Sequence, residues 1–209
     1  MYLPLWIKTE HLKCLVVGGG RVAFAKVRRL MQLGCQLSLI SPEFIPEFNP
    51  IAGEKCHLIK RGYQQGDVNG FDLIIVATRN RELNKLIAEE ASSLHIPVNV
   101  VDDPELCTVI FSANVQDRQL GIAVSTSGTA PFLAAAIRDR LAEITSGWGD
   151  WVDAGGKLRD LCRSSQIEED EMHTILKKFS ETDTSGVREL PNSQATLDEW
   201  KIWLEKNAG

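Results

Sequence analysis

The sequence predicts an α/β fold in which a doubly wound parallel sheet is followed by a smaller helical part. Three observations favour this fold. Short apolar segments alternate with helical patterns over the first hundred residues, as they do in βαβ units. The segment FDLIIVAT, residues 71–78, is mostly apolar, which is typical of a parallel strand covered on both faces. After residue 130 only helical patterns remain.

The first predicted strand, CLVV at residues 14–17, leads into a glycine-rich turn. The spacing Gly18-x-Gly20-x-x-Ala23 matches the G-x-G-x-x-G/A pattern of dinucleotide sites. Gly18 permits a tight turn, Gly20 lets a pyrophosphate approach the backbone, and Ala23 lets the next helix pack closely on the strand. The free N–H groups at the start of that helix would bind the phosphates.

The helix after the glycine turn has one apolar face and a glycine stop. Its apolar residues recur at helical spacing, and they are Ala23, Val27, Leu30 and Met31. Gly34 follows as a left-handed cap. Before the first strand, Tyr2, Leu3, Leu5 and Trp6 are expected to pack against the edge of the same domain.

Four more strands are predicted, at residues 36–40, 57–59, 71–78 and 97–102. The second strand ends in Ser41-Pro42-Glu43, where a Rossmann unit usually has the acidic residue that binds the ribose hydroxyls. Ser41 is one candidate for that contact and Glu43 is the other. No Arg stands there to bind a 2′-phosphate, so the pattern does not decide between NAD and NADP.

The pattern changes beyond residue 106. The apolar segments CTVIF and LGIAVS, joined by the polar stretch from Asn114 to Gln119, predict a hairpin or an antiparallel addition to the sheet. A helix is predicted over residues 131–144, with Thr129 as its N-cap and Pro131 in its first turn.

The remainder of the chain is expected to be helical. Two helices are predicted within residues 150–180 and a short one over residues 197–204. The last thirty residues, which include the turn-forming stretch from Asp183 to Gly186, are expected to pack loosely.

Composition argues against several classes of protein. Residues 1–145 hold 15 acidic and 15 basic side chains, so the net charge of −5 arises from residues 146–209, and no basic stripe supports nucleic-acid binding. No apolar run reaches the roughly 18 residues of a membrane span. The first twelve residues lack the pattern of a signal peptide, and we expect a cytoplasmic protein.

Cysteines and histidines show no metal-ligand spacing. The five cysteines are scattered and form no C-x-x-C pair, which favours reduced thiols over disulfides or a zinc site. Cys14 and Cys35, on or beside predicted strands, are expected to be small core residues. The four histidines are equally dispersed, and no bound metal is expected.

Three stretches of the sequence together point to one family. They are LPLWIKTEHLKCLVVGGGRVAFAKVRRLMQLG, PVNVVDDPELCTVIF and GIAVSTSGTAPFLAAAIRDRLAEI. Together they resemble the precorrin-2 dehydrogenases of sirohaem synthesis. That family includes the N-terminal half of the fused bacterial sirohaem synthase and the yeast dehydrogenase–ferrochelatase. The resemblance covers about residues 1–180.

The resemblance implies an NAD-dependent oxidation of precorrin-2 to sirohydrochlorin by a homodimer. It also implies three parts: a Rossmann domain over residues 1–112, a dimerisation region over 113–145 and a helical C-terminal domain over 146–209. These limits agree with the breaks in the sequence pattern near residues 112 and 146.

The acidic residue of the NVVD stretch, Asp102, resembles the residue that the family uses in catalysis. A carboxylate near the nicotinamide could take a proton as a general base. Spacing alone favours a simpler interpretation, in which Asp102 or Asp103 forms the turn before Pro104. The resemblance reverses that preference for Asp102 and not for Asp103.

The remaining site residues follow from the glycine motif and from the resemblance. We expect the cofactor to contact Gly18, Gly20, Arg21, Val22, Ala23, Ser41 and Thr78. We expect the tetrapyrrole, which has eight carboxylates, to contact Arg79 and the loop formed by Ser125, Thr126, Ser127, Gly128 and Thr129. A capped turn is the alternative for that loop. The fused enzyme has a phosphorylated serine where Thr126 stands here, so that modification is not expected.

Two alternatives to this function stay open. One is a bifunctional enzyme that also inserts ferrous iron into sirohydrochlorin. The other is a non-catalytic NAD-sensing module, although such modules share the glycine turn and not the later stretches.

Overall fold

A five-stranded parallel sheet forms the core of the first part of the chain. In the computed structural model, which describes residues 2–53, 55–182, 190–192 and 194–207, the strand order is β3-β2-β1-β4-β5. All four pairs of neighbours are parallel. The strands are β1 (Lys13–Val17), β2 (Gln36–Ser41), β3 (Cys56–Lys60), β4 (Leu73–Val76) and β5 (Val98–Val100). The order confirms the predicted doubly wound sheet, and it reverses between β1 and β4.

Helices cover both faces of this sheet, because the strands alternate their side chains between the two faces. Cys14 and Val16 of β1 pack with α1 (Arg21–Gln32) and with a 3₁₀ segment at Pro46–Ile51. Leu15 and Val17 face the opposite way and pack with α2 (Arg81–Ser93).

The end of α1 shows why the sequence signal for it was clear. Ala23, Val27 and Leu30 are buried, as predicted from their spacing. Gly34 has a φ of +82°, and its N–H donates to Met31, while the N–H of Cys35 donates to Leu30. These bonds form a Schellman motif, for which glycine is the preferred residue.

The chain divides into two compact units, Met1–Phe111 and Ser112–Gly209. The second unit contains an antiparallel pair of strands and four helices within the described residues. The pair is β6 (Ala113–Asp117) and β7 (Leu120–Val124). The helices are α3 (Pro131–Ile144), α4 (Trp148–Ser164), α5 (Glu169–Ser180) and α6 (Leu197–Asn207).

The predicted position of the hairpin was wrong. CTVIF is not a strand; the polar stretch ANVQD forms β6, and the turn is reduced to Arg118 and Gln119. Arg118 takes a φ of +52°, which allows this two-residue turn. The pair forms its own two-stranded sheet and does not extend the parallel one.

Two expectations about the chain ends were also wrong. Leu3, Leu5 and Trp6 are among the most exposed large apolar side chains and do not pack against the domain. In the last thirty residues, Trp200 and Leu204 of α6 are buried in the core formed with α4 and α5. The stretch from Asp183 to Gly186 lies outside the described residues.

Cys14 and Cys35 are buried in the core, as expected. Among the described residues, no helix combines the length and the apolar character that crossing a membrane requires.

Candidate functional site

The three glycines after β1 differ in what surrounds them. A side chain at Gly18, which has a φ of +133°, would overlap the carbonyl oxygen of Ala77. A side chain at Gly19, which the motif leaves free, would overlap the carbonyl oxygen of Glu43. At Gly20 a Cβ would meet nothing within 4 Å. The chain's own packing therefore requires the first two glycines, and the third leaves open space that fits a pyrophosphate.

The start of α1 offers the N–H groups that such a site needs. Gly20 is the N-cap, and the helix begins at Arg21 with no acidic residue in its first turn. The first N–H groups of a helix have no partner within the helix, and the dipole there favours an anion. Arg21 and Val22 are exposed in this turn, whereas the side chain of Ala23 is buried against the sheet.

The two candidates for the ribose contact differ in exposure. Ser41 is buried at the end of β2, and its hydroxyl donates to the carbonyl oxygen of Glu43 over 2.6 Å. Its proton is thus used inside the loop, and only its lone pairs remain for a ligand. The side chain of Glu43 is exposed. The same loop is tied to the glycine turn, because the N–H of Ile45 donates to the carbonyl of Gly19 over 3.0 Å.

A hydrogen-bonded turn connects β4 to α2. The Thr78 hydroxyl donates to the side chain of Asn84, and its oxygen accepts the N–H of Asn80 over 3.1 Å. Asn84, which is buried, also donates to the carbonyl of Thr78 over 3.2 Å. Asn80 caps α2 by accepting the N–H of Leu83. This turn holds the predicted residue Thr78 at the carboxyl edge of the sheet, with Arg79 exposed beside it.

Asp102 lies in a tight turn after β5. The strand ends at Val100, not at Asp102 as predicted, and Asp102 takes a left-handed φ of +61°. A non-glycine residue at such a φ is uncommon, although Asp tolerates it better than most. Asp102 is exposed, whereas its neighbour Asp103 is half-buried and pairs with Arg81 over 3.5 Å.

The sequence prediction missed Lys26. This half-buried residue of α1 places its ammonium 4.6 Å from the centre of the Phe111 ring, a cation–π contact. Burial lowers its pKa, and the charge of Arg29 acts in the same direction, whereas the carboxylate of Asp102 raises it. Lys26 therefore lies within electrostatic range of Asp102. Its position three residues after Ala23, on the apolar face of the helix, is the signal that could have identified it.

The predicted loop before α3 belongs to the second unit. Its N–H groups are partly used within the loop: Ser127 donates to the Ser125 hydroxyl over 3.0 Å, and Ala130 donates to the Thr126 hydroxyl over 3.2 Å. Ser127 and Gly128 both have positive φ values. The N-cap of α3 is Ala130, which makes no side-chain capping bond, so the prediction of Thr129 was wrong. Pro131 is in the first turn, as predicted.

The elements of the first unit bring three of the predicted groups to one edge. The glycine turn follows β1, Thr78 and Arg79 follow β4, and Asp102 follows β5. Strands β1, β4 and β5 are parallel neighbours, so their carboxyl ends share one edge of the sheet. Over the described ranges, no three His, Cys, Asp or Glu side chains are grouped so that they could hold a metal ion.

Comparisons with known proteins match both parts of the chain. The family model described as "Putative NAD(P)-binding" matches residues 5–113, and the one described as "Sirohaem biosynthesis protein central" matches residues 117–144.

The siroheme synthase of Pseudomonas entomophila (strain L48) is 42% identical over 161 residues, which are 76% of this chain and 35% of that protein. The siroheme synthase of Vesicomyosocius okutanii subsp. Calyptogena okutanii (strain HA) is 38% identical over 80% of this chain and 37% of its own length. The chain thus spans about a third of the length of these curated relatives.

A solved structure described as "SirC, precorrin-2 dehydrogenase" has a similar fold. Its TM-score is 0.75, and the alignment covers 99% of this chain and 100% of that one at 21% sequence identity. At this identity the likeness establishes the fold, which agrees with the predicted Rossmann-like sheet followed by a helical region.

Proposed function

The chain belongs to the NAD(P)-binding family whose model matches residues 5–113, and on that premise we propose that it binds NAD and oxidises precorrin-2 to sirohydrochlorin. The observation that supports this most directly is the shared carboxyl edge of β1, β4 and β5, with the glycine turn at one end and Asp102 at the other. The names of the curated relatives, all siroheme synthases in the matches described above, agree with the substrate class.

The cofactor contacts follow from the glycine turn. Gly18 and Gly20 bring the backbone close to the pyrophosphate, and the first turn of α1 from Arg21 to Ala23 donates N–H groups to it. Thr78 lines the same edge after β4. Glu43 is the better candidate for the ribose hydroxyls, because the Ser41 proton is already donated to a carbonyl.

The chemistry of the reaction assigns one step to Asp102. Oxidation removes a hydride and a proton from the substrate, and bound NAD supplies the hydride acceptor. We assign the proton to the carboxylate of Asp102, which is exposed at the carboxyl edge of the sheet. Asp103 is a poorer candidate, since it is half-buried and paired with Arg81.

Basic groups and N–H groups would bind the substrate carboxylates. Arg79 is exposed at the carboxyl edge of the first unit. In the second unit, we assign this role to the loop from Ser125 to Thr129, which precedes the start of α3. Thr126 also stabilises the loop itself through its bond to Ala130.

An anaerobic assay tests the proposal. The full chain is incubated with precorrin-2 and either NAD or NADP, and the rate of nicotinamide reduction is followed against a protein-free control. We expect turnover in the native chain and a loss of about a hundredfold or more in Asp102→Asn, the range for a lost general base. Binding of NAD by Asp102→Asn is expected to be unchanged.

Asp103→Asn is the matched control, because it removes a neighbouring carboxylate from the same turn. Turnover in this variant should stay close to that of the native chain. NAD binding without turnover in the native chain would contradict the dehydrogenase and favour the sensing module. Equal turnover in Asp102→Asn and the native chain would remove Asp102 from the mechanism.

We also propose that the protein acts as a homodimer through α3. Leu133, Ile137 and Ile144 of this helix recur at helical spacing, and with Phe132 they are exposed apolar residues. Exposed apolar side chains repeated along one helix are typical of an interaction site. The cytoplasmic location stays a prediction from the sequence.

A further inference from the structure

The turn that contains Asp102 is closed at its base by a side chain. The sulfur of Cys107 accepts the N–H of Val100 over 3.1 Å. The thiol also lies 3.2 Å from the carbonyl oxygen of Val100 and 3.4 Å from that of Asp103, so it can donate to either. The side-chain amide of Asn99 completes the group, at 3.6 Å from the sulfur. One sulfur atom therefore links residues on both sides of Asp102.

The segment after Cys107 is attached to β5 by separate bonds. The N–H of Val98 donates to the Thr108 hydroxyl over 2.8 Å, and the N–H of Thr108 donates back to the Val98 carbonyl over 2.9 Å. Asn99 donates to the carbonyl of Val109 over 3.0 Å. These bonds do not involve the thiol. Removing the thiol should therefore loosen the turn without detaching the segment that follows it.

We propose that Cys107 is a positioning residue, whose thiol holds the turn in the conformation that presents Asp102 at the carboxyl edge of the sheet. This inference rests on the proposed role of Asp102 in the dehydrogenation. Cys107 has no covalent or redox role in it.

The conformation of the turn explains why such a link is needed. Asp102 has a left-handed φ, a region that an aspartate occupies at some cost unless neighbouring bonds hold it there. The bond from Asp103 N–H to Val100 is long, at 3.4 Å, so the backbone alone closes the turn weakly. Burial raises the pKa of the Cys107 thiol, which keeps it protonated and able to donate at neutral pH.

Hydrogen exchange and kinetics of three variants test the inference. Cys107→Ala removes the sulfur, Cys107→Ser keeps a donor and acceptor with a shorter reach, and Cys56→Ala is the control. Cys56 is a buried thiol of β3, which is separated from β5 by three strands of the same sheet. Its replacement by alanine should lower the thermal stability without affecting the Asp102 turn.

The Val100 amide reports on the link directly, because it donates to the sulfur. In Cys107→Ala we expect its exchange rate to rise roughly tenfold, the size expected for one lost buried hydrogen bond. We expect kcat for precorrin-2 to fall by a similar factor while the KM for NAD stays unchanged. Cys107→Ser should recover part of both effects, and Cys56→Ala should show neither.

The inference is overturned if Val100 exchange and kcat in Cys107→Ala match those of the native chain. It is also overturned if Cys56→Ala changes both equally, since the effect would then be a general loss of stability. The Asp102→Asn variant separates this result from the proposed function. If that variant keeps full turnover, the proposed role of Asp102 is wrong, and Val100 exchange still decides whether the thiol closes the turn.

Discussion

At the scale of single residues, the glycine turn separates a structural requirement from a functional one. Gly19 and Gly20 are neighbours, yet a side chain would overlap the carbonyl of Glu43 at the first and meet open space at the second. Gly20 also has a φ of −92° and a ψ of −175°, which any residue can adopt. Alanine should therefore reduce mainly the stability of the fold at Gly19 and mainly the binding of NAD at Gly20.

We expect Gly19→Ala to lower the free energy of unfolding by about 3 kcal/mol, because the loop after β2 must move to admit a methyl group. Gly20→Ala should lower the free energy of unfolding by no more than about 1 kcal/mol, as for a weakened N-cap. The dissociation constant of the Gly20→Ala variant for NAD should rise by about tenfold or more, because the methyl group occupies the space in which the pyrophosphate is expected to bind. Urea unfolding and calorimetric titration with NAD measure the two effects.

Comparable NAD affinity in Gly20→Ala and the native chain would show that the pyrophosphate does not approach this position. If Gly19→Ala has the same free energy of unfolding as the native chain, the loop after β2 can move to admit a methyl group at little cost.

Lys26 predicts a pH dependence of stability. Burial lowers its pKa below the usual value of 10.5, so the folded chain binds this proton less tightly than the unfolded chain does. Between the lowered pKa and 10.5, unfolding takes up a proton, and the free energy of unfolding rises with pH. Lys26→Met should lack this rise. The stability of the native chain relative to the variant should therefore increase as the pH rises towards 10.5.

Urea unfolding at several pH values measures this difference. Lys85→Met, at an exposed position of α2, is the control for the loss of a surface charge. An identical pH profile for the native chain and Lys26→Met would contradict the assigned burial of the ammonium.

At the scale of elements, the sequence predicted helices better than it predicted short strands. The apolar stripe of α1 and its glycine stop specify that helix locally, and both were found as predicted. In CTVIF the apolar residues are used differently: residues 107–109 bind back to β5 through the sulfur, a hydroxyl and backbone N–H groups. The segment is apolar because it covers the sheet, and not because it pairs as a strand.

The polar strand β6 was missed because its pairing and its hydrogen-bond partners, and not an apolar pattern, make it a strand. Its five residues are paired with β7 in register, from Asp117 opposite Leu120 to Ala113 opposite Val124. Asp117 also accepts the N–H groups of Gly147 and Gly149 at the start of α4, over 3.2 and 2.9 Å. A local pattern cannot detect partners so distant in sequence, and it therefore predicts a polar turn from Asn114 to Gln119.

At the scale of the whole molecule, α3 predicts assembly. Phe132 is the most exposed large apolar residue of the helix, at 78%. We expect the native chain to be a dimer and the Phe132→Glu variant to be a monomer, because the introduced carboxylate would be desolvated in an apolar interface. Light scattering after size-exclusion chromatography measures the mass at several concentrations.

Leu86→Glu is the control, because Leu86 is an exposed apolar residue of α2 in the first unit. A native chain that is monomeric at all concentrations would contradict the homodimer. Loss of the dimer in both variants would show that α3 is not the specific interface.

By itself, the sequence determined the alternation of strands and helices, the glycine turn with its dinucleotide spacing, and the core face of α1. Each of these depends on residues within one or two turns of the chain, where backbone geometry sets the periodicity. The tertiary structure alone decided which groups meet: Gly19 against the loop after β2, Lys26 against Phe111 and near Asp102, and Cys107 beneath the Asp102 turn. The strand order brings these residues together across long stretches of chain, and no local pattern encodes that order.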